Sequence, residues 1–160
     1  MDGVVATRAP LDESHLATPD AITPLRHAVA DYARAVGIRG EQLDAVRLAV
    51  SEALTNVVLH AYRDEPGQVH VTVRLVENEL WVLVADDGCG LSLPAQSPGL
   101  GWGLAFITDS CDSFTLAERA EGGVEARMVF RLAADPSTVT DGLTLGGAVT
   151  GDVAISDADL

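Results

Sequence analysis

Hydrophobic and polar residues alternate along the chain with two different periods. Apolar residues first recur every three or four positions, as on one face of a helix, and later every second position, as on one face of a strand. The pattern predicts, in order, helices at 22–36 and about 42–62, strands at 69–76 and 79–86, a helix at about 103–111, and strands at 113–120 and 124–132. The strand at 79–86 is apolar on both faces, which predicts a central position in the sheet.

The order of these elements predicts the α+β class. The expected architecture is a two-layer α/β sandwich in which helices cover one face of a mixed, mostly antiparallel sheet. The domain is expected to span residues 20–133, after an N-terminal segment, 1–19, in which "GVVATRAP" (3–10) is a candidate edge strand. Residues 134–160 are rich in Gly, Thr and Asp, and this composition predicts a flexible acidic tail.

Charge and composition narrow the function classes. The 160 residues carry a net charge of -14, which argues against nucleic-acid binding because phosphate contacts need basic patches. All ten basic residues are Arg, so mechanisms that depend on a lysine are excluded. Cys89 and Cys111 lack metal-motif spacing and the four His form no ligand motif, so we expect no metal site built from His and Cys.

The sequence lacks the features that direct a chain to a membrane. No apolar run is long enough to span a bilayer, and the N-terminal residues lack the basic and apolar regions of a signal peptide. The expected location is therefore the cytoplasm, with no membrane contact.

A polar pair, whose burial without partners would cost free energy, interrupts the apolar helix "LAVSEALTNVVLHAY" (48–62). Glu52 and Asn56 are four residues apart, so their side chains lie one turn apart on the same face. A carboxylate and a carboxamide together offer oxygen ligands to Mg²⁺, and a carboxylate in an apolar setting can serve as a general base. The alternative interpretation is a satisfied polar pair at a helix edge.

A second motif, "ADDGCGL" (85–91), follows the most apolar strand. Asp86 ends that strand, and Gly88 and Gly90 can adopt backbone conformations that other residues avoid. A carboxylate at this point can accept a hydrogen bond from an exocyclic amine such as that of adenine. On its own, the motif is also compatible with an ordinary tight turn.

A third motif, "SPGLGWGLAF" (97–106), comes directly before an apolar helix. Gly99, Gly101 and Gly103 alternate there, and free N–H groups at a helix N-terminus form an anion site. A dinucleotide-binding fingerprint is excluded by context, because the preceding strands form a hairpin rather than a βαβ unit.

The three motifs in this order and spacing resemble those of the GHKL ATPases, which have the Bergerat nucleotide-binding fold. The resemblance covers about residues 20–132. Within the superfamily, the single-domain size and "SEALTNVVLHAY" are most similar to the bacterial anti-sigma-factor serine/threonine kinases. The resemblance implies that the cofactors are ATP and Mg²⁺.

The resemblance also implies a role for each matched side chain. Asn56 matches the asparagine that coordinates Mg²⁺ between the phosphates, and Glu52 matches the presumed general base that activates a serine hydroxyl or water. Asp86 matches the aspartate that accepts a hydrogen bond from the adenine amino group. Gly88 and Gly90 match the glycines that shape the loop beside the base. Gly101 and Gly103 match the second glycine box, at the phosphates, and Gly99 assists them.

Partners follow from the resemblance rather than from the residues. It implies a kinase that phosphorylates a STAS-type anti-anti-sigma protein, sequesters a sigma factor and forms a homodimer. One departure weakens the implied transfer: only eight residues, "LSLPAQSP" (91–98), separate the glycine motifs, and no basic residue lies between Arg74 and Arg119. A non-catalytic nucleotide-binding or regulator-sequestering module is therefore the alternative. The ATP-binding half of a histidine kinase is a third hypothesis, disfavoured because no helical hairpin carries a phosphoacceptor His.

Overall fold

The computed structural model describes residues 8–91 and 100–133. Its elements are β1 (Leu11–Leu16), α1 (Pro19–Ala35), α2 (Gly40–Asn56), a π-helical turn (Val57–Ala61), β2 (Gln68–Val76), β3 (Glu79–Asp86), α3 (Leu100–Ser110), β4 (Ser113–Glu118) and β5 (Val124–Arg131). Residues 92–99, which include most of "LSLPAQSP" together with Gly99, and the C-terminal tail, 134–160, lie outside the described residues. None of the described helices is long and apolar enough to cross a membrane.

The five strands form one sheet in the order β1-β2-β3-β5-β4. Each of the four described pairings is antiparallel, whereas the sequence predicted a mixed, mostly antiparallel sheet. The central position predicted for β3 is confirmed, since it pairs with β2 on one side and β5 on the other. Its residues from Leu80 to Asp86 are consequently buried or half-buried.

The three helices pack on one face of the sheet, as the α+β prediction requires. Apolar side chains at helical spacing on α1 and α2 meet every second residue of the central strands. The fully buried core includes Leu25, Val46, Val50, Leu54, Val71, Val82, Ile107, Met128 and Phe130. Helix α2 contacts both α1 and α3.

Two elements differ from the sequence prediction. The edge strand is β1 at Leu11–Leu16 rather than "GVVATRAP", where residues 8–10 form no strand and residues 3–7 lie outside the described part. The second helix does not run regularly to Tyr62. Its α-helical part ends at Asn56, and a π-helical turn continues to Ala61. A π-turn contains one more residue than an α-turn, and such turns are frequent at functional sites.

Candidate functional site

A cavity of about 400 Å³ opens between the helix layer and the far end of β3. Apolar side chains form most of its wall, among them Val84, Ile107, Leu116 and Ala126. Its polar side chains include Asn56, His60, Arg63 and Asp86. A mostly apolar cleft with a few placed polar groups is typical of a small-ligand site.

Asp86 is a buried charged residue in the wall of this cavity. It ends β3 and is only 5% exposed. Its Oδ1 accepts hydrogen bonds from the backbone N–H of Gly88 at 2.9 Å and of Val124 at 3.3 Å. Its Oδ2 accepts none from a described residue, and no described side chain has a fully buried polar atom without a partner. Oδ2 is therefore reachable from the cavity and available to a ligand that donates a hydrogen bond.

Burial raises the pKa of the Asp86 carboxyl, and the two N–H groups on Oδ1 oppose that shift. Desolvation disfavours the charged form, whereas hydrogen bonds to a carboxylate favour it. A donor supplied by a ligand at Oδ2 would stabilise the charged form further. The site is thus electrostatically suited to an amino group.

The loop after β3 is fixed by close backbone contacts. A methyl group at Gly88 would lie 2.2 Å from the carbonyl oxygen of Ala61, so only glycine fits there. The N–H of Cys89 donates to that same carbonyl at 3.1 Å. Gly90 has a φ of +78°, in the left-handed region that favours glycine. The two glycines predicted to shape this loop therefore meet different demands, close approach and backbone conformation.

A hydrogen-bonded chain of side chains, here called the brace, holds the same loop from outside the cavity. Arg119 donates through Nη1 to the backbone carbonyl of Asp86 at 2.7 Å and to Oδ1 of Asp87 at 2.6 Å. Oδ2 of Asp87 lies 2.8 Å from Nε2 of His70, whose Nδ1 lies 2.7 Å from Oγ of Ser14. The brace thereby joins β1, β2, the loop and the β4–β5 turn.

The brace was missed by the sequence analysis. The hydrogen bond with His70 is the largest cause that lowers the pKa of the Asp87 carboxyl; burial opposes it, and the hydrogen bond with Arg119 adds to the lowering. Adjacent Asp86 and Asp87 therefore have opposite shifts. The sequence showed only an Asp pair, because the partners of Asp87 lie 17 and 32 residues away.

Glu52 and Asn56 lie together next to α3, where Asn56 forms part of the cavity wall. Both are half-buried on α2, and both side chains approach Gly103 of α3. A methyl group at Gly103 would lie 3.0 Å from Oε2 of Glu52 and 3.3 Å from Oδ1 of Asn56. Of the two, Asn56 lines the cavity, whereas Glu52 lies one turn nearer the N-terminus of α2 and is not part of the lining. Neither side chain has a hydrogen bond or ion pair to a residue in the described part of the chain.

The remaining predicted glycines sit at the start of α3. Gly101 and Gly103 fall in its first turn, where backbone N–H groups lack helical partners and can bind an anion. Gly99 precedes the described part of this helix. The arrangement can therefore accept an amino-bearing ring at Asp86, a hard cation at the Asn56 carboxamide oxygen, and an anion at the start of α3.

Comparisons with known proteins identify a family and relatives for this chain. Residues 16–130 match the family described as "Histidine kinase-like ATPase domain". The chain is 36% identical over 64 residues to the serine-protein kinase RsbW of Bacillus thuringiensis, an alignment that covers 40% of each protein. It is 30% identical over 77 residues to RsbW of Bacillus mycoides, with 48% of each covered. The aligned part is thus less than half the length of these curated relatives.

A solved structure agrees with the fold. The chain is similar to the RsbU and RsbW domains of Rv1364c from Mycobacterium tuberculosis, with a TM-score of 0.64 and 22% identity. The similarity covers 80% of this chain and 34% of that one. The predicted GHKL-type fold is thereby confirmed. Since the family match spans most of the sequence, the chain belongs to the family of histidine kinase-like ATPase domains.

Proposed function

We propose that the chain is an ATP- and Mg²⁺-dependent protein serine/threonine kinase of the anti-sigma-factor type. Its protein substrate is a small STAS-type anti-anti-sigma protein, and it sequesters a sigma factor in the cytoplasm as a homodimer. The similarity to serine-protein kinases RsbW supports the kinase part. The partners and the dimer are inferred from the same resemblance.

One observation carries the nucleotide part of the proposal. Asp86 lines a mostly apolar cavity, its Oδ2 has no hydrogen-bond partner among the described residues, and its Oδ1 is held by the N–H groups of Gly88 and Val124. An adenine ring in that cavity would bury its faces against apolar walls and donate its amino hydrogen to Oδ2. Because Oδ1 is already fixed, this acceptor does not reorient when the base binds. Gly88 and Gly90 keep the loop close enough for this contact.

The other end of the cavity suits phosphates. The N–H groups around Gly101 and Gly103 would bind phosphate oxygens at the start of α3, with Gly99 preceding them. The Asn56 carboxamide oxygen is a suitable protein ligand for Mg²⁺, which commonly takes one or two protein oxygens together with waters and substrate phosphates. Bound there, the ion would neutralise charge on the transferring phosphoryl group.

In the proposed reaction, Glu52 takes the proton of the substrate hydroxyl. The hydroxyl oxygen forms a bond to the γ-phosphorus as the bond from that phosphorus to the β–γ bridging oxygen breaks, which releases ADP. Glu52 is adjacent to Asn56 and approaches the start of α3, so its carboxylate would lie near the phosphate end of the nucleotide. A general base of this kind typically contributes about 10²- to 10⁴-fold to the rate.

The test combines calorimetry with phosphate transfer. The full chain is titrated with ATP and Mg²⁺, and then incubated with radiolabelled ATP and the purified cognate antagonist. We expect Glu52→Gln to bind ATP within about twofold of wild type and to label the antagonist at least about 100-fold more slowly. Equal labelling by wild type and Glu52→Gln would remove Glu52 from the mechanism.

A second candidate function is regulator sequestration without phosphate transfer. It is favoured by the absence of any basic residue from 75 to 118, since transfer requires the developing charge to be stabilised. ATP binding by the wild type, no labelling of the antagonist and tight binding of a sigma factor would together select this function. No ATP binding at millimolar concentration would reject the kinase.

A further inference from the structure

The phosphates of a bound nucleotide are negatively charged, and so is this protein. The chain has a net charge of -14, and its ten basic residues are all Arg. None of them lies between Arg74 and Arg119, a stretch that includes the segment joining the two glycine motifs. A cationic side chain that assists Mg²⁺ at the phosphates would therefore come from another part of the fold.

Most arginines in the described residues already have partners. Those with a hydrogen bond, an ion pair or an aromatic ring beneath the guanidinium are Arg8 with Tyr32, Arg34 with Asp31, Arg39 with backbone carbonyls, Arg47 with Asp44, Arg119 with Asp87, Arg127 with Glu125, and Arg131 with Glu79. Within the same residues, Arg26, Arg63 and Arg74 have no such partner. These three are the candidates.

Position separates the three candidates. Arg26 lies in a shallow groove between α1 and α2, beside Arg47 and Leu48. Arg74 is exposed on β2, in register with Trp81 of β3. Only Arg63 lines the cavity that contains Asp86 and Asn56. Arg63 is thus the one arginine in the described part of the chain with both access to the cavity and a free guanidinium.

The backbone next to Arg63 is anchored. The hydroxyl of Tyr62 donates to the carbonyl of Gln68 at 2.5 Å and accepts the N–H of Asp87 at 2.9 Å. These bonds fix the end of the π-helical turn against β2 and the loop after β3. The flexible Arg63 side chain therefore projects from a fixed point at the cavity, on the chain segment that also contributes Asn56 and His60 to its wall.

Acidic neighbours in the sequence do not neutralise this side chain. Asp64 and Glu65 follow directly and are exposed, and neither forms an ion pair with Arg63 among the described residues. An unpaired guanidinium beside a cavity is suited to a phosphate, because its fixed charge and forked donors match phosphate oxygens.

We propose that Arg63 binds the phosphates of the nucleotide and makes affinity depend on their charge. The inference rests on the proposed function, since it presupposes that the cavity takes ATP. It deepens that function by dividing recognition between two residues. Asp86 selects the base, and Arg63 makes nucleotides with phosphates bind more tightly than the free nucleoside.

Calorimetry on the full chain tests this division. ATP, ADP and adenosine are each titrated, with Mg²⁺ present, into wild type, Arg63→Gln and Arg74→Gln. Arg74→Gln is the matched control, because it removes the same charge from an exposed side chain that lies away from the cavity and has no partner among the described residues. We expect Arg63→Gln to weaken ATP binding by about tenfold or more, as for a lost charge-assisted hydrogen bond, and to leave adenosine binding unchanged. Arg74→Gln should bind all three ligands as wild type does.

Salt and a conservative variant sharpen the result. The difference in ATP affinity between wild type and Arg63→Gln should shrink as ionic strength rises, since salt screens an exposed charge. Arg63→Lys should recover part of the lost ATP affinity.

Three results would overturn the inference. Unchanged ATP affinity in Arg63→Gln would show that the side chain does not reach the phosphates, and would leave the proposed function standing. An equal loss for ATP and adenosine would show that Arg63 supports the cavity and not the phosphates. Failure of the wild type to bind either ligand would reject the proposed function and this inference together.

Discussion

The two ends of the cavity are held in different ways. At the Asp86 end, backbone N–H groups occupy one carboxylate oxygen, and the brace fixes the adjoining loop through Arg119 and Asp87. At the other end, Glu52 and Asn56 pack against Gly103 and have no hydrogen bond to a described residue. At the Asp86 end the protein holds the carboxylate in place and leaves Oδ2 for a ligand, whereas at the other end no hydrogen bond from a described residue holds the polar side chains.

This difference suggests that binding and transfer depend on different parts of the site. A fixed acceptor contributes to binding without reorganisation, because its orientation is set during folding. Groups without protein partners reach their working geometry only when ligands supply the missing contacts. Changes at the Asp86 end should therefore affect stability and base binding, and changes at the Glu52 end should affect transfer. The three predictions below test this division.

The largest expected effect comes from adding a methyl group at Gly123, which packs tightly against the backbone of Asp86. Gly122 and Gly123 both have left-handed φ values, +98° and +83°. A methyl group at Gly122 would meet nothing within 4 Å, whereas one at Gly123 would lie 1.9 Å from the carbonyl oxygen of Asp86. We expect Gly122→Ala to cost about 1 kcal/mol from backbone strain. Gly123→Ala should cost roughly 3 kcal/mol or more, because overpacking is added to the strain.

Urea denaturation of both variants measures these free energies of unfolding. Gly122→Ala is the control for the left-handed conformation alone. Folded Gly123→Ala should also bind ATP more weakly, since the displaced loop carries the acceptor. Equal stability losses in the two variants would contradict the tight fit between Gly123 and Asp86.

A smaller effect is expected at the other end, from Gly103→Ala. Alanine is favoured over glycine in a helix by up to about 1 kcal/mol, so stability should stay constant or rise. The added methyl group would crowd Oε2 of Glu52 and Oδ1 of Asn56, at 3.0 and 3.3 Å. Displacing groups near the reacting atoms by even a fraction of an ångström lowers the transfer rate, here by about tenfold.

The control for Gly103→Ala is the reverse change at an exposed position of the same helix. Ala105→Gly should lower stability by about 1 kcal/mol and leave transfer to the antagonist unchanged. Parallel urea and labelling measurements on both variants separate helix propensity from crowding. If Gly103→Ala transfers phosphate at the wild-type rate, the close approach of Gly103 to Glu52 and Asn56 does not affect phosphoryl transfer.

Much of the fold could be predicted because the spacing of apolar residues indicates whether a segment is a helix or a strand and which of its faces is buried. The helical spacing of α1 and the alternation of β2 reflect burial on one face, and both elements appear close to their predicted bounds. The π-helical turn after Asn56 has no such signal. It is accompanied by a tertiary contact, the bond from the N–H of Cys89 to Ala61, which local periodicity does not encode.

Strand β1 shows a second limit of sequence reasoning. Its sequence "LDESHL" is rich in residues that are depleted in strands, so propensity favoured the apolar stretch before it. Pairing with β2 overrides that propensity, and Leu11 packs against the core. The brace is hidden for the same reason, because Ser14 and His70 are 56 residues apart and meet only across paired strands.

The candidate site was predicted unevenly. Motif spacing brought Asn56 and Asp86 together in the hypothesis, and the cavity contains both. Their proposed roles stay predictions. Arg63 was missed because a single arginine in a polar turn resembles an ordinary solvated residue. Its access to the cavity depends on the anchoring of Tyr62 by Gln68 and Asp87, which involves contacts from other elements.

The smallest expected effect separates the two neighbouring carboxyl groups. Burial raises the pKa of Asp86 above its usual 3.8, so its contribution to stability is largest below pH 3.8 and is lost as pH rises through the folded value. Hydrogen bonds with His70 and Arg119 lower the pKa of Asp87. Its contribution is therefore present above pH 3.8 and is lost as pH falls through its folded value.

Asn variants should show opposite pH profiles in urea denaturation between pH 3 and pH 7. At neutral pH, Asp87→Asn should lower the free energy of unfolding by less than about 1 kcal/mol, because a half-exposed ion pair is screened by solvent. Asp86→Asn should leave that free energy unchanged or raise it, since the Asn Oδ1 can still accept the two N–H groups without burying a charge. Toward pH 3 both variants should approach wild-type stability. Parallel profiles for the two variants would mean that the brace, rather than burial, controls both carboxyl groups.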